Sequence, residues 1–385
     1  MAQQSDENYL TTAEVARRLK VKPETIYAYV SRGQLTSVRA RGRRGSLFAA
    51  ADVERLASRT VDHPGVMERI ESELSLLADD ELYYRGHPVR DLATTQSVES
   101  VAQLLWTGLL EESEPFPAPP ELVALARTAM DVAPPGARMT DQLRIAVAVL
   151  GAGDPMRFDL APESVVLAAC RLLGVLIEAL PGEAGEGTFG ARLWPKLSTR
   201  PPEPRVLEAA AILLADHGLA VSTVAARVAA SARANLYSVV SAGLGALDGH
   251  YHGAATTLAY QFLDRALRDP VEALSDQLRS GEPVPGFGHR IYQQRDPRAE
   301  ALFELIADEP VMETVRVITG QLAGFPNNDL AVAAMMHAYG FRPDAGEALF
   351  ALARIIGWTA HALEEYAEPG LRFRALGVYT GPAVT

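Results

Sequence analysis

The stretch from residue 286 to residue 298, GFGHRIYQQRDPR, combines residue types that can hold and protonate a small anion. Gly286 and Gly288 allow the backbone to approach a ligand closely. His289 can donate or accept a proton near neutral pH, and Arg298 offers a planar fork of donors for a carboxylate. The stretch therefore predicts an enzyme site for a small anionic ligand. The alternative is a loop with a hydrogen-bonded histidine, because glycine, proline and charged residues are common in loops.

Further polar residues lie within apolar, helix-like sequence from residue 206 onwards. His217 follows Asp216 inside an apolar run, and His252 lies in a glycine-rich corner, GHYHG, at residues 249–253. Burying such groups without partners costs about 1 to 3 kcal/mol each, so a network or a ligand must satisfy them. For each histidine taken singly, a hydrogen-bonded core histidine is the alternative.

Arg354 and Asp329 are charged residues beside apolar helical sequence. Arg354 lies between Leu352 and Ile355, where a buried guanidinium is costly without an anion, and this predicts a carboxylate partner. Asp329 follows turn-forming residues 326–328 and precedes an apolar helix. It is therefore either a functional carboxylate or the N-cap of that helix.

Composition favours a mainly α protein of two or more domains. The chain has 385 residues, of which 48% are hydrophobic, and its long segments follow helical spacing while few alternate with a period of two. Cys170 is the one cysteine, which excludes an internal disulfide framework and a cysteine-based metal site. The N-terminus has no apolar signal core, and the apolar run at residues 165–180 contains charged residues, which predicts a buried helix. We therefore expect a cytoplasmic protein.

Residues 1–59 form a basic region ahead of an acidic body. They contain 11 Lys and Arg against 6 Asp and Glu, whereas the rest of the chain contains 25 against 42. Thr11 and Glu14 have capping-box spacing for a first helix, and Pro23 suits the first position of a second helix with Ile26, Tyr27 and Val30 on its buried side. That helix is expected to stop at Gly33, followed by two short strands around an arginine-glycine tip and a third helix over residues 52–57.

This order resembles the excisionase or MerR-type winged helix-turn-helix family over residues 8–59. The resemblance implies that the second helix enters the major groove and that the tip, as a wing, contacts the backbone. The candidate DNA contacts are Lys22, Thr25, Tyr27 and Tyr29 on the second helix and Arg39, Arg41, Arg43 and Arg44 on the wing. The alternatives are a solvated basic face on a small docking domain and a module for protein contacts.

The body, residues 66–385, resembles the citrate synthase family in the order of its motifs. A predicted linker at residues 61–65 separates it from the N-terminal domain, residues 1–60. The motifs are Tyr84-Arg85-Gly86, Asp91-Leu92-Ala93, Asp216-His217, Leu247 to Gly253, Gly286 to Arg298, Pro326 to Asp329, Ala353 to Trp358 with His361, and Leu371 to Arg374.

The resemblance implies an almost wholly helical fold with a large and a small domain, the small one at approximately residues 215–325. It also implies a homodimer that condenses acetyl-CoA with oxaloacetate and needs no metal or redox cofactor. Asp329 matches the base that removes a proton from the acyl donor, His252 the histidine at the thioester oxygen, and His289 the histidine at the ketone. His217, Arg298, Arg354 and Arg372 match the remaining oxaloacetate contacts, the last reaching into the partner subunit's site.

The sequence departs from the family pattern on or near the acyl-CoA side. The family usually has Gly-Pro-Leu-His-Gly-Gly at residues 249–254, asparagine at Ala220, lysine at Gln293 and an aromatic-Ser-Gly turn after Asp329. Acetyl-CoA is the expected donor and propionyl-CoA, giving 2-methylcitrate, the close variant. The alternative from another class is a transcriptional regulator whose synthase-like body senses a dicarboxylate or an acyl-CoA.

Overall fold

The structure is a computed structural model that describes residues 9–19, 23–31, 35–38, 46–50, 52–53, 70–249, 252–373 and 381. Contacts divide the chain into two compact units, one formed by Met1–Glu68 with Phe373–Thr385 and the other by Arg69–Arg372. The linker predicted at residues 61–65 lies outside the described residues.

The N-terminal unit contains two helices and a small antiparallel sheet. Its elements are β1 (Tyr9–Thr11), α1 (Thr12–Arg18), α2 (Pro23–Ser31), β2 (Ser37–Val38) and β3 (Leu47–Ala49), with the strands in the order β1-β3-β2. The predicted capping box is confirmed: the Thr11 side chain accepts from the Glu14 amide, and the Glu14 carboxylate accepts from the Thr11 amide at 2.8 Å. Fully buried Val15 and Ile26 and nearly buried Phe48 join the helices to the sheet.

Two expectations for this unit need correction. Tyr27 was expected on the buried side of α2, but 63% of its surface is exposed. The fully buried Ile26 precedes it by one position, and one position turns a helix by about 100°, so Tyr27 faces away from the core. Strand β1 was not predicted, because it exists only through its pairing with the distant β3, where Leu10 lies opposite Phe48. Gly33, the arginine-glycine tip and most of the predicted third helix lie outside the described residues.

The larger unit begins with three short strands. They are β4 (Ser75–Ala78), β5 (Glu81–Tyr84) and β6 (His87–Pro88), antiparallel and in the order β4-β5-β6. Asp79 and Asp80 form the two-residue turn between β4 and β5, with φ of 52° and 56°. Positive φ at both positions is the geometry of a tight hairpin that matches strand twist.

The rest of this unit is helical, as predicted. The helices are α3 (Val89–Thr95), α4 (Val98–Thr107), α5 (Pro120–Met130), α6 (Met139–Gly153), α7 (Pro162–Ala179), α8 (Phe189–Leu197), α9 (Pro204–Leu214), α10 (Val221–Ser231), α11 (Leu236–Leu247), α12 (Ala254–Ala266), α13 (Pro270–Ser280), α14 (Pro297–Leu305), α15 (Val311–Gly320), α16 (Asn328–Tyr339) and α17 (Ala345–Ala367). Helix α4 ends at Gly108 in the left-handed conformation, which is the usual role of a glycine that follows a helix. Within the described part of the chain, no helix has both the length and the hydropathy that a membrane crossing requires.

Helix α17 is the central helix of the larger unit. It packs against α7, α9, α10 and α11, and every residue from Ala345 to Ala362 is buried. An apolar helix buried all round suits the interior of a large protein. Arg354 and His361 are therefore interior residues, and each needs a polar partner from a neighbouring element.

Two buried carboxylates hold the start of α8. Glu99 accepts from the Phe189 amide at 2.8 Å, and Glu208 accepts from the amides of Gly190 at 2.6 Å and Val98 at 2.8 Å. Both glutamates are 2% exposed. Burial, followed by the nearby Glu208 carboxylate, raises the pKa of Glu99 from 4.5 to about 7. A raised carboxyl pKa means that the folded state favours the protonated form of Glu99.

Glu99 is thus expected to make folding stability fall as pH rises. The stabilisation that Glu99 contributes is present in full below pH 4.5, its ordinary pKa, and is lost as the pH rises to about 7, its pKa in the folded protein. The free energy of unfolding should fall by about 3 kcal/mol across this window. In Glu99→Gln this loss should be absent, so the variant gains stability relative to the wild type as pH increases over that window. Urea unfolding at several pH values measures the effect.

Glu163→Gln is the matched control, because Glu163 also occupies the second position of its helix but is exposed. Glu163→Gln reports what the loss of a carboxylate at an exposed position of this kind does to stability, and the pH profile of Glu99→Gln is compared with it. Parallel pH profiles for the wild type and Glu99→Gln would contradict the expectation.

Candidate functional site

The Asp296 carboxylate joins two segments of the predicted site. Asp296 is the N-cap of α14 and is fully buried. It accepts two hydrogen bonds from the Arg298 guanidinium, at 2.9 and 2.8 Å, and one from the Asn328 amide at 3.0 Å. The ion pair is therefore bidentate, and both oxygens of the Asp296 carboxylate accept hydrogen bonds, as a buried ion pair requires. It fixes both Arg298 and the first turn of α16.

Asn327 makes a second connection between the same segments. Its amide donates to the Gly286 carbonyl at 2.9 Å and its side chain to the Gly288 carbonyl at 2.8 Å. Gly286 has φ of 82°, and a Cβ there would lie 2.7 Å from the Cβ of Leu330. The glycine is required both for its conformation and for this close approach.

Asp329 is not the N-cap of α16. That role belongs to Asn327, whose side-chain oxygen accepts from the amides of Asp329 and Leu330. The Asp329 side chain, which is only partly exposed, instead accepts a hydrogen bond at 2.8 Å from the Thr256 hydroxyl. Burial raises the pKa of the Asp329 carboxyl, so this group is a stronger base than an exposed aspartate.

His289 is held as a neutral imidazole with a defined tautomer. Its Nδ1 accepts from the amides of Ile291 at 3.1 Å and Tyr292 at 3.3 Å, which places the ring proton on Nε2. Burial, assisted by Arg298, lowers the pKa of His289 to about 4. At neutral pH its Nε2–H can therefore donate a hydrogen bond to a ligand oxygen.

His217 lies beside His289, with ring centroids 5.2 Å apart. Its Nε2 is hydrogen-bonded to the buried Tyr292 hydroxyl at 3.0 Å, and the Tyr292 ring lies 5.3 Å from the Arg298 guanidinium. Burial, then the charge of Arg298, lowers the pKa of His217 well below its usual value. Tyr292 thus links two of the predicted keto-acid contacts.

His252 is oriented by two residues that the sequence did not single out for this role. Its Nε2 lies 2.7 Å from the Ser222 hydroxyl, and that oxygen accepts from Trp358 Nε1 at 3.3 Å. The hydroxyl has no other acceptor among the described residues, so its hydrogen points to Nε2 and the His252 proton lies on Nδ1. Burial, then Arg354, lowers the pKa of His252 to about 4.

Arg354 is a buried cation with spare hydrogen-bonding capacity. It is 1% exposed, its Nε donates to the Leu214 carbonyl at 2.9 Å, and its guanidinium lies 4.7 Å from the Phe350 ring. Its Nη1 has no hydrogen-bond partner among the described residues. An unpaired buried donor is costly, which agrees with the expectation that Arg354 binds an anion.

Arg372 does not join these residues within the chain. Its guanidinium donates twice to the buried Glu365 carboxylate, both bonds being 2.7 Å. Glu365 also pairs with Arg227 at 3.0 Å, and Arg227 donates to Nδ1 of the buried His361 at 2.8 Å. The sequence had assigned Arg372 to the partner subunit's site.

Four residues of the site were not predicted from the sequence: Ser222, Thr256, Tyr292 and Asp296. Asp296 carries a local signal, since an aspartate before Pro297 suits an N-cap, but its pairing with Arg298 and Asn328 needs the tertiary structure.

Among the predicted DNA contacts, Tyr27 is exposed and Tyr29 is partly buried. The other predicted contacts lie outside the described residues: Lys22, the Thr25 side chain, Arg39, Arg41, Arg43 and Arg44. Among the described residues, no group of three or more His, Cys, Asp or Glu is placed to hold a metal ion.

Residues 66–374 match the family described as "Citrate synthase, C-terminal domain" and residues 9–60 the family described as "Helix-turn-helix domain". The family match and the relatives given below indicate a condensing enzyme that transfers acyl groups. The chain belongs to the citrate synthase family. Enzymes of this family use no cofactor besides their acyl-CoA and oxaloacetate substrates.

Curated relatives bear two different names. The citrate synthase of Haloferax volcanii is 33% identical over 353 residues, which cover 81% of this chain and 93% of the relative. The 2-methylcitrate synthase of Mycobacterium tuberculosis strain H37Rv is 29% identical over 345 residues, covering 78% and 85%. A solved structure, the ternary complex of carboxymethyl coenzyme A and oxaloacetate with the citrate synthase of Thermoplasma acidophilum, is similar with a TM-score of 0.69 at 25% identity, covering 83% and 96%.

Asp296→Asn should destabilise the protein by about 3 to 5 kcal/mol, because it leaves the Arg298 charge buried and unpaired. Asp269→Asn is the control: Asp269 is also an N-cap followed by proline, but it is exposed. Asparagine caps helices about as well as aspartate, so the control should lose less than about 1 kcal/mol. Urea unfolding compares the two, and equal losses would show that the ion pair contributes little.

Proposed function

We propose that the protein condenses an acyl-CoA with oxaloacetate and hydrolyses the resulting thioester, giving citrate from acetyl-CoA or 2-methylcitrate from propionyl-CoA. The observation that carries the proposal is the hydrogen bonding of the two histidines. Nε2–H of His289 and Nδ1–H of His252 are each left free to donate, because the other ring nitrogen is already engaged. Two neutral donors suit two carbonyl oxygens that gain negative charge during reaction.

Arg298, Arg354 and His217 bind the keto-acid in this proposal. Two buried guanidinium groups suit a dianionic substrate, and the unpaired Nη1 of Arg354 gains a partner when a carboxylate binds. His289 then donates from Nε2 to the ketone oxygen. This hydrogen bond polarises the carbonyl and supplies the proton for the alkoxide that forms.

Asp329 acts as the general base on the acyl donor. It removes a proton from the carbon next to the thioester carbonyl while His252 donates from Nδ1 to the thioester oxygen. The enol carbon attacks the ketone, and water then hydrolyses the thioester and releases CoA. The raised pKa of Asp329 helps proton removal from a weak carbon acid, provided that the carboxyl is ionised at working pH.

The acyl donor is the less constrained substrate. Acetyl-CoA and propionyl-CoA differ by one methylene, which shifts discrimination by about 1 to 3 kcal/mol. Relatives of both kinds, a citrate synthase and a 2-methylcitrate synthase, have similar identity to this chain. Acetyl-CoA is our proposed donor, and propionyl-CoA is the variant to be compared with it.

We also infer a homodimer in which Arg372 completes the partner subunit's site. Helix α10 supports this assembly, because Val221 and Val228 are 69% and 43% exposed within one chain. Arg372 is then expected to leave or share its contact with Glu365. Sedimentation equilibrium that gives the mass of a single chain would reject the dimer.

The principal prediction concerns thiol release from acetyl-CoA or propionyl-CoA in the presence of oxaloacetate. Wild-type protein should release CoA with at least one donor, and Asp329→Ala should be slower by about 100-fold or more, because loss of a general base removes a proton-transfer partner. Oxaloacetate binding, measured by calorimetry, should persist in the variant. No release above Asp329→Ala with either donor would reject the proposed reaction.

A second candidate function is DNA binding by the N-terminal unit, with the body as a sensor of a dicarboxylate or an acyl-CoA. The helix-turn-helix match over residues 9–60 and the antiparallel pairing of β2 with β3 around the predicted basic tip support it. A homodimer would carry two such units, which suits a palindromic site.

Changing Arg41, Arg43 and Arg44 together to alanine should weaken DNA binding and reduce its salt dependence. Each phosphate contact that is lost reduces counterion release on binding. The measurement is fluorescence anisotropy with duplex DNA over a range of salt concentrations, using the full chain. Unchanged affinity and salt slope in the triple variant would reject the role of the wing.

A further inference from the structure

Thr256 is the side chain that meets the Asp329 carboxylate. It lies in the first turn of α12, four residues after His252, and Asp329 lies in the first turn of α16. The Thr256 hydroxyl donates to Oδ1 of Asp329 at 2.8 Å, and Thr256 is 3% exposed. Within the described chain, no other side chain donates a hydrogen bond to this carboxylate in the structure.

The packing around Thr256 fixes which branch of its side chain faces Asp329. Its methyl group fills the space beside Gly346, where a Cβ would lie 2.5 Å from the Thr256 methyl carbon and 2.9 Å from the Met336 sulfur. A β-branched side chain in a helix has few allowed rotamers. With the methyl group held against Gly346, the hydroxyl is directed at Asp329.

This contact has two consequences for the carboxylate. One oxygen, Oδ1, is occupied by the hydroxyl, so Oδ2 is the oxygen left to receive a proton. The hydroxyl also favours the charged form: burial raises the pKa of Asp329, while the Thr256 hydrogen bond and the Arg298 charge oppose that rise and Asp296 adds to it. The contact therefore limits how far burial can protonate the base.

We propose that Thr256 is a positioning residue for proton abstraction, which orients the Asp329 carboxylate so that Oδ2 faces the acyl donor. The inference rests on the proposed function, in which Asp329 is the base. Thr256 makes no contact with substrate in this proposal and acts only through Asp329. The contact joins α12, which follows the corner that carries His252, to α16, and so ties the base to the segment that holds the thioester donor.

The test compares pH–rate profiles of the wild type, Thr256→Val and Thr256→Ser. Thr256→Val keeps the shape of the side chain and removes its hydroxyl group. It should therefore lower kcat about tenfold with little change in KM for the acyl-CoA. The acid-side pKa of its kcat/KM profile should rise by about one unit, because the lost hydrogen bond had favoured the charged carboxylate. Thr256→Ser keeps the hydroxyl but lacks the methyl group that directs it, so both values should lie between those of the wild type and Thr256→Val.

Thr257→Val is the control for loss of a hydroxyl at the same end of α12. Thr257 donates to Glu347 and not to Asp329, so the acid-side pKa of this variant should match the wild type. An unchanged acid-side pKa and a kcat within twofold of the wild type in Thr256→Val would overturn the inference. If circular dichroism shows that Thr256→Val does not fold, Thr256→Ala takes its place with the same expected shift.

A second measurement separates this inference from the proposed reaction. Carbon-13 NMR of protein labelled at aspartate carboxyls, with Asp329→Asn to assign the signal, reports the Asp329 pKa without turnover. If the wild type releases no CoA, the reaction fails, but Thr256→Val should still raise that pKa by about one unit. No change in the Asp329 titration would reject the role of Thr256 whatever the turnover.

Discussion

The buried ion pair between Asp296 and Arg298 is the interaction on which the arrangement of the site depends. Both residues are nearly or fully buried, so either charge alone would be strongly destabilising. The Asp296 carboxylate also accepts from the Asn328 amide, one residue before Asp329. The same carboxylate therefore places Arg298, the cation proposed to bind the keto-acid, and the first turn of the helix that carries the proposed base. Displacement of either one would disturb the other.

Around this pair, the site combines permanent cations with uncharged imidazoles. The arginines keep their charge when buried, because guanidinium is too basic to lose its proton in a protein. The histidines do not: burial and the neighbouring arginines lower the pKa of His252 and His289 to about 4. Arg298 and Arg354 are thus suited to binding anions, while the histidines are suited to hydrogen bonding with oxygens that become charged.

The chain joins this site to a second, separately folded unit. The helix-turn-helix match ends at residue 60 and the citrate synthase match begins at residue 66. The N-terminal unit has its own small core around Val15 and Ile26, and its helices and strands are held by that core. The proposed condensation and the proposed DNA binding would therefore place separate demands on the sequence, and variants in one unit can be designed without altering the core of the other.

The sequence by itself determined the mainly helical class, the order of the site motifs and the local ends of helices, such as the Thr11 and Glu14 capping box and the glycine after α4. These features depend on residues within a few positions of one another, so local pattern is sufficient. Only the tertiary structure decided that Ser222 orients His252, that Asn327 and not Asp329 caps α16, and that β1 pairs with β3. Thr256 and Asp329 are 73 residues apart in the chain, and their hydrogen bond exists because α12 and α16 pack together. No local spacing encodes such a partner, because it is set by how whole helices fit against one another.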